Sequence, residues 1–180
     1  MKASISRRQM AGFIFTGITG TFLHFLFELT GGSWIAGLFS AVNESIWEHM
    51  KLLFYPMVVY GAWSYLRWGK TFPHFWCVKL KGILLGLLLI PTLYYTYTGV
   101  LGISADWFNI TIFFLSAGAV YLFETRQLQK GGRKCQPVLA IAGIAALALL
   151  FTLFTFFPPR IPLFQDPVTK TYEIIKKGAS

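Results

Sequence analysis

Asn43-Glu44-Ser45-Ile46-Trp47-Glu48-His49-Met50-Lys51 sets two carboxylates, an imidazole, an amide, an indole and an ammonium between two strongly apolar runs. The chain has only seven Asp plus Glu and three His in 180 residues, so this is a local concentration of scarce groups. If the stretch is helical, Glu44, Glu48 and Lys51 fall on one face at spacings of four and three residues, with Trp47 beside them. His49 then points about 100° away from Glu48. A second pair precedes it: His24 and Glu28, four residues apart in Thr21-Phe22-Leu23-His24-Phe25-Leu26-Phe27-Glu28, also share a helix face. The expectation is that His24, Glu28, Glu44, Glu48 and His49 converge on one site.

The apolar runs decide the fold class. Hydrophobic residues make up 55% of the chain and charged residues 13%, against roughly 25% charged in soluble domains. With a mean hydropathy of +0.57, the chain reads as a single all-α integral membrane bundle. Five transmembrane helices are expected, near 11–30, 51–68, 80–97, 107–123 and 137–157, as a domain spanning 1–157. Residues 33–42 are too short to cross and predict an interfacial segment between the first two spans. The second helix is expected to start as early as Asn43, a good N-cap residue. Gly12, Gly17 and Gly20 offer places where another helix can come close to the first span. Residues 158–180 form a Pro-rich tail, and its apolar start (Ile161, Leu163, Phe164) predicts a semi-rigid lid folded back over one end of the bundle.

The net charge of +9 is not a nucleic-acid signal, because the bases sit between apolar runs, where topology signals sit. With the N-terminus inside, eleven of the sixteen bases face the cytoplasm: Lys2, Arg7, Arg8, Arg67, Lys70, Lys79, Lys81, Arg126, Lys130, Arg133 and Lys134. Lys51, Arg160, Lys170, Lys176 and Lys177 fall outside, with every acid except Glu124. This predicts a multi-pass protein of the cell membrane with a cytoplasmic N-terminus and an extracytoplasmic C-terminus. It puts Cys77 and Cys135 on the reducing side and predicts free thiols.

In that topology four helices deliver polar groups to one outer level. A carboxylate in hydrocarbon costs several kcal/mol unless paired, metal-bound or wetted. Two His with several carboxylates form the donor set of a divalent metal such as zinc. His24, Glu28, Glu48 and His49 are the candidate ligands. Glu44 and Glu48 are the candidate catalytic carboxylates, able to move a proton from a metal-bound water. Asn43, Trp47, Lys51, Tyr95, Asp106 and Arg160 are candidate substrate contacts; Arg160 could hold a phosphate or carboxylate bidentately. The plainer reading of the same residues is an interfacial salt-bridge cluster that fixes helix contacts, with Trp34, Trp47 and Trp107 as ordinary interface anchors.

The stretch from Phe39 to Pro56, the His24–Glu28 run and the tail from Pro159 to Asp166 resemble a family of small bacterial polytopic membrane proteins, mostly of Gram-positive bacteria, with no assigned activity. Its mark here is the Asn-Glu-Ser-x-Trp-Glu-His-x-Lys motif at 43–51. The resemblance implies location and topology and supplies no reaction. The same stretch is loosely similar to the seven-helix membrane hydrolases that include alkaline ceramidases, although this chain has fewer spans and no later His-x-x-x-His pair. The expected function is a membrane-embedded, metal-dependent hydrolase acting outside the cell on a lipid or lipid-linked substrate. The alternatives are a small-solute or cation binding or transport protein, and a structural or partner-interaction membrane protein.

Overall fold

The structure, a computed structural model, describes residues 2–131, 135–172 and 174. Arg133, Lys134, Glu173, Lys176 and Lys177, assigned to the two sides of the membrane above, lie outside the described residues. Six α-helices and no strand occur among the described residues: α1 (Lys2–Leu29), α2 (Trp34–Phe39), α3 (Ile46–Arg67), α4 (Phe75–Leu101), α5 (Asp106–Lys130) and α6 (Pro137–Phe156). Single 3-10 turns follow α3 and α6 at Gly69–Thr71 and Pro162–Phe164.

Local chemistry explains the breaks. Gly31 and Gly32 both take positive φ (66° and 77°) and end α1, a conformation that costs glycine nothing sterically. Gly102 closes α4 in the left-handed region. Pro137 opens α6 at a position where its missing N–H is no loss. The cap of α3 is Ser45, whose hydroxyl accepts from the Glu48 N–H at 3.3 Å. Asn43, the expected cap, instead accepts the Ser45 N–H at 3.0 Å and turns the chain two residues earlier.

Four helices, α1, α4, α5 and α6, are long and apolar enough to cross a membrane. At 20–28 residues they measure about 30–42 Å, against a hydrocarbon core of about 30 Å. α3 is also long enough, but Glu48, Lys51 and Arg67 lower its hydropathy, and the expected count of five spans is not what length and apolarity alone return. The expected spans are also short of the observed helices: α1 begins at Lys2 instead of Ala11, and α5 runs on to Lys130. The interfacial segment is the short α2, which leaves Trp34, Ile35 and Phe39 exposed.

α3 is central. It packs against α1, α4, α6 and α2, while α5 closes the group between α1 and α4. Leu53, Phe54 and Met57 of α3 are buried with Ile83 and Leu87 of α4, Ala117 and Val120 of α5 and Phe151 of α6. Between membrane helices the gain comes from close fit, because lipid tails are as apolar as leucine. Glycines on α1 provide that fit: a Cβ on Gly20 would lie 2.7 Å from the Leu52 carbonyl oxygen, which as backbone cannot move aside.

The thiol expectation is overturned. Cys77 and Cys135 form a disulfide, with Cα atoms 6.3 Å apart. The turn after α3 and the segment before α6 return to the same end of the bundle, where Ile5, Trp68, Phe75, Val78 and Leu128 form a second apolar cluster. A separation of 58 residues along the chain gave no hint of this proximity.

Gly20→Ala should lower thermal stability in detergent by about 1–3 kcal/mol, as overpacking does. Gly99→Ala, in the same secondary structure but with open space at its Cβ position, should be neutral or stabilising by up to about 1 kcal/mol. Equal effects at the two positions would show that the α1–α3 contact is loose.

Candidate functional site

The loop from Ser40 to Ser45 and the first turn of α3 meet the end of α1. His24 on α1, Glu44 on the loop and His49 on α3 each offer a ligating atom within 4.8 Å of the other two. All three are half-buried. The imidazole rings of His24 and His49 are 5.3 Å apart. Nδ1 of His49 lies 2.9 Å from the Ser45 carbonyl oxygen. A carbonyl can only accept, so Nδ1 carries the proton and, in the neutral ring, Nε2 carries the lone pair. That Nε2 lies 3.5 Å from a Glu44 carboxylate oxygen. The three donor atoms are close enough together to hold one metal ion.

A cavity of about 30 Å³ opens beside Glu44 and His49, bounded by Tyr94, Asn109 and apolar side chains including Ile90 and Ile112. It has room for about one water molecule. Asn109 is held by the Tyr97 hydroxyl at 2.6 Å.

Glu48 has a different fate. It is buried and ion-paired with Lys51 at 2.6 Å. Its two oxygens also accept from the Val42 N–H (3.1 Å) and the Thr155 hydroxyl (2.8 Å). Lys51 donates to the Gly37 carbonyl (2.8 Å) and to Thr155 Oγ1 (2.9 Å). Glu48 and Lys51 thus join α2, α3, the loop and α6, and neither belongs to the His24–Glu44–His49 group. Glu28 is exposed and outside that group as well. Trp47 packs among the rings of Phe151, Phe154 and Phe164. Asn43 serves the turn before α3. Tyr95, Asp106 and Arg160 are exposed and do not line the cavity; Tyr94, the neighbour of Tyr95, does.

Asp166 was read in the sequence only as an outer acid. It is fully buried and accepts the Glu44 N–H at 3.0 Å as well as the Val168 and Thr169 N–H groups. Phe164 is buried against Trp47 and Phe154. The tail therefore lies on the end of the bundle that holds the two histidines, and one of its carboxylates fixes the backbone of a candidate ligand. A second polar node was also missed. At the other end, Lys79 and Glu124 form a buried 2.6 Å ion pair, with Gln9 against the carboxylate and the rings of Tyr60, Phe75 and Tyr121 5.3–5.8 Å from the ammonium. The only available signal was a single acid among the bases of that side.

Lys51→Met should destabilise the protein by about 3–5 kcal/mol, because it leaves Glu48 charged and buried without its partner. The double variant Glu48→Gln, Lys51→Met should recover most of that loss in a thermal melt. If the single variant is no worse than the double, the pair does not hold the helices together.

No curated protein and no solved structure matches the chain. A family model described as a family of unknown function (DUF6512) matches residues 3–174, and the chain belongs to that family.

Proposed function

We propose that the protein is a five-span membrane protein carrying a divalent metal, zinc or a similar ion, on His24, Glu44 and His49 at the extracytoplasmic end of the bundle. The observation that carries this is the 3.5 Å approach of His49 Nε2 to Glu44 with Nδ1 already committed to a carbonyl. A backbone acceptor on the far ring nitrogen is the usual support of a metal-binding imidazole. α3 is taken as the fifth span, because its charged side chains Glu48 and Lys51 are neutralised inside the bundle and need no water.

Two imidazoles and a carboxylate form the donor set of hydrolytic zinc sites, which keep a fourth position for water. The cavity beside Glu44 and His49 can hold that water. Held by His24, Glu44 and His49, such an ion would supply an activated water for hydrolysis of an ester or phosphoester bond in a lipid or lipid-linked substrate. Glu44 then acts as ligand, and Glu48, locked to Lys51, takes no part in the chemistry. The tail would act as a lid, since displacing Asp166 frees the Glu44 backbone. A second reading, cation binding without chemistry, is favoured by the size of the cavity, which admits about one water and no lipid group.

Purified protein should hold about one zinc ion per chain by elemental analysis, and His24→Ala, Glu44→Gln and His49→Ala should each weaken retention about tenfold or more. Glu48→Gln should leave retention unchanged. Zinc retained by the triple variant would remove the site. Hydrolysis of ester or phosphodiester lipids in vesicles, lost in His49→Ala, would separate the enzyme from a simple cation binder.

The eleven-to-five distribution of bases supports a cytoplasmic N-terminus. The Cys77–Cys135 bridge at the same end favours the oxidising side. In a Cys77→Ser, Cys135→Ser background, a cysteine placed at Lys130 should resist a membrane-impermeant maleimide in intact cells. Labelling there would reverse the orientation and turn the histidine site towards the cytoplasm.

A further inference from the structure

At the end of the bundle opposite the histidines, a groove of about 440 Å³ opens between the start of α1 and the end of α3. Arg7, Arg8 and Arg67 line it, together with Trp63, Trp68 and Tyr60. No acidic residue lines it. Among the described residues, none of the three arginines makes an ion pair; the nearby carboxylate of Glu124 is buried and taken by Lys79. The groove is built. Arg8 lies 5.2 Å over the Trp68 ring and Arg67 5.9 Å over Trp63, so two of the charges are held on aromatic faces. The Tyr60 hydroxyl donates to the Arg8 carbonyl and ties α1 to α3 at this level.

We infer that this groove binds the phosphate headgroup of an anionic phospholipid. Arginine forks match phosphate oxygens bidentately. Three unpaired cations in one groove are short of negative charge, and phosphate supplies it. The depth also fits. Arg7 and Arg8 immediately precede the apolar run of α1, and Arg67 ends α3, so all three stand where the headgroups of the adjoining leaflet lie. Tryptophan and tyrosine favour that boundary, and basic pockets between membrane helices take anionic headgroups there. A lipid is favoured over free phosphate because the same two helices continue away from the groove with exposed apolar side chains, Met10, Ile14, Val59 and Leu66, that suit acyl chains. The inference does not depend on the metal site or on which end of the bundle is inside.

Native mass spectrometry of the full chain released from nanodiscs of equal phosphatidylglycerol and phosphatidylcholine tests it. The wild-type protein should retain phosphatidylglycerol at least about tenfold over phosphatidylcholine. Arg7→Gln, Arg8→Gln, Arg67→Gln should abolish that preference, while Arg126→Gln, a base of the same end that does not line the groove, should keep it. Should the triple variant fail to fold, Arg67→Gln alone should still reduce the preference severalfold. Equal retention of the two lipids by the wild type, or an undiminished preference in the folded variants, would overturn the proposal. Displacement of phosphatidylglycerol by millimolar inorganic phosphate would assign the groove to a soluble anion and overturn it as well.

Discussion

The buried ion pair of Glu48 and Lys51 is the constraint around which the rest of this bundle is arranged. Two full charges withdrawn from water each carry a desolvation cost of several kcal/mol, and their attraction offsets it only if the remaining lone pairs and protons are also satisfied. Here they are. The carboxylate takes the ammonium, a hydroxyl and a backbone N–H, and the ammonium takes the carboxylate, the same hydroxyl and a backbone carbonyl. Those partners come from α2, the loop before α3, and α6. Satisfying one helix turn of α3 therefore fixes the position of three other segments. A charged pair so placed also explains how α3 can carry two charges in its first turns and yet be the most enclosed of the long helices.

The same arrangement decides which acidic groups remain available. With Glu48 turned inward, the residue one place further along the helix, His49, is carried about 100° around it, towards α1 and His24. Glu44 precedes the helix and is free of its periodicity, so it can face His49 from the loop. The metal site proposed for these three residues is thus a by-product of the ion pair. Its stability is tied to the tail as well, through Asp166 and the packing of Phe164 against Trp47.

The two ends of the bundle use polar chemistry differently. The end with the histidines combines a half-buried ligand set with a covering tail. The other end has a second enclosed ion pair, Lys79 with Glu124, surrounded by aromatic faces, a disulfide that joins the start of α4 to the segment before α6, and an open basic groove. Enclosed pairs near both ends hold the helices in register along their length, and each leaves its own surroundings free for ligands.

Much of this was legible in the residues. Long apolar runs interrupted by glycine, proline and basic clusters predicted helices long and apolar enough to cross a membrane, where a helix satisfies its own backbone. The concentration of polar groups at 43–51, and the i,i+4 pair of His24 and Glu28 on the preceding helix, pointed to this end of the bundle as a candidate site, because scarce charged groups in an apolar chain must find partners. The sequence could not say which partner each would take. On a helical wheel Glu44 and Glu48 share a face, but Ser45 caps the helix and puts Glu44 outside it, so the shared face does not exist. Glu48 is claimed by Lys51 and Thr155, and the latter is more than one hundred residues away. The Cys77–Cys135 bridge, the Lys79–Glu124 pair and the role of Asp166 are equally non-local. Periodicity and charge count are properties of neighbours along the chain, and they determined the helices. The choice among competing partners depends on distances across the bundle, which exist only once the helices have packed.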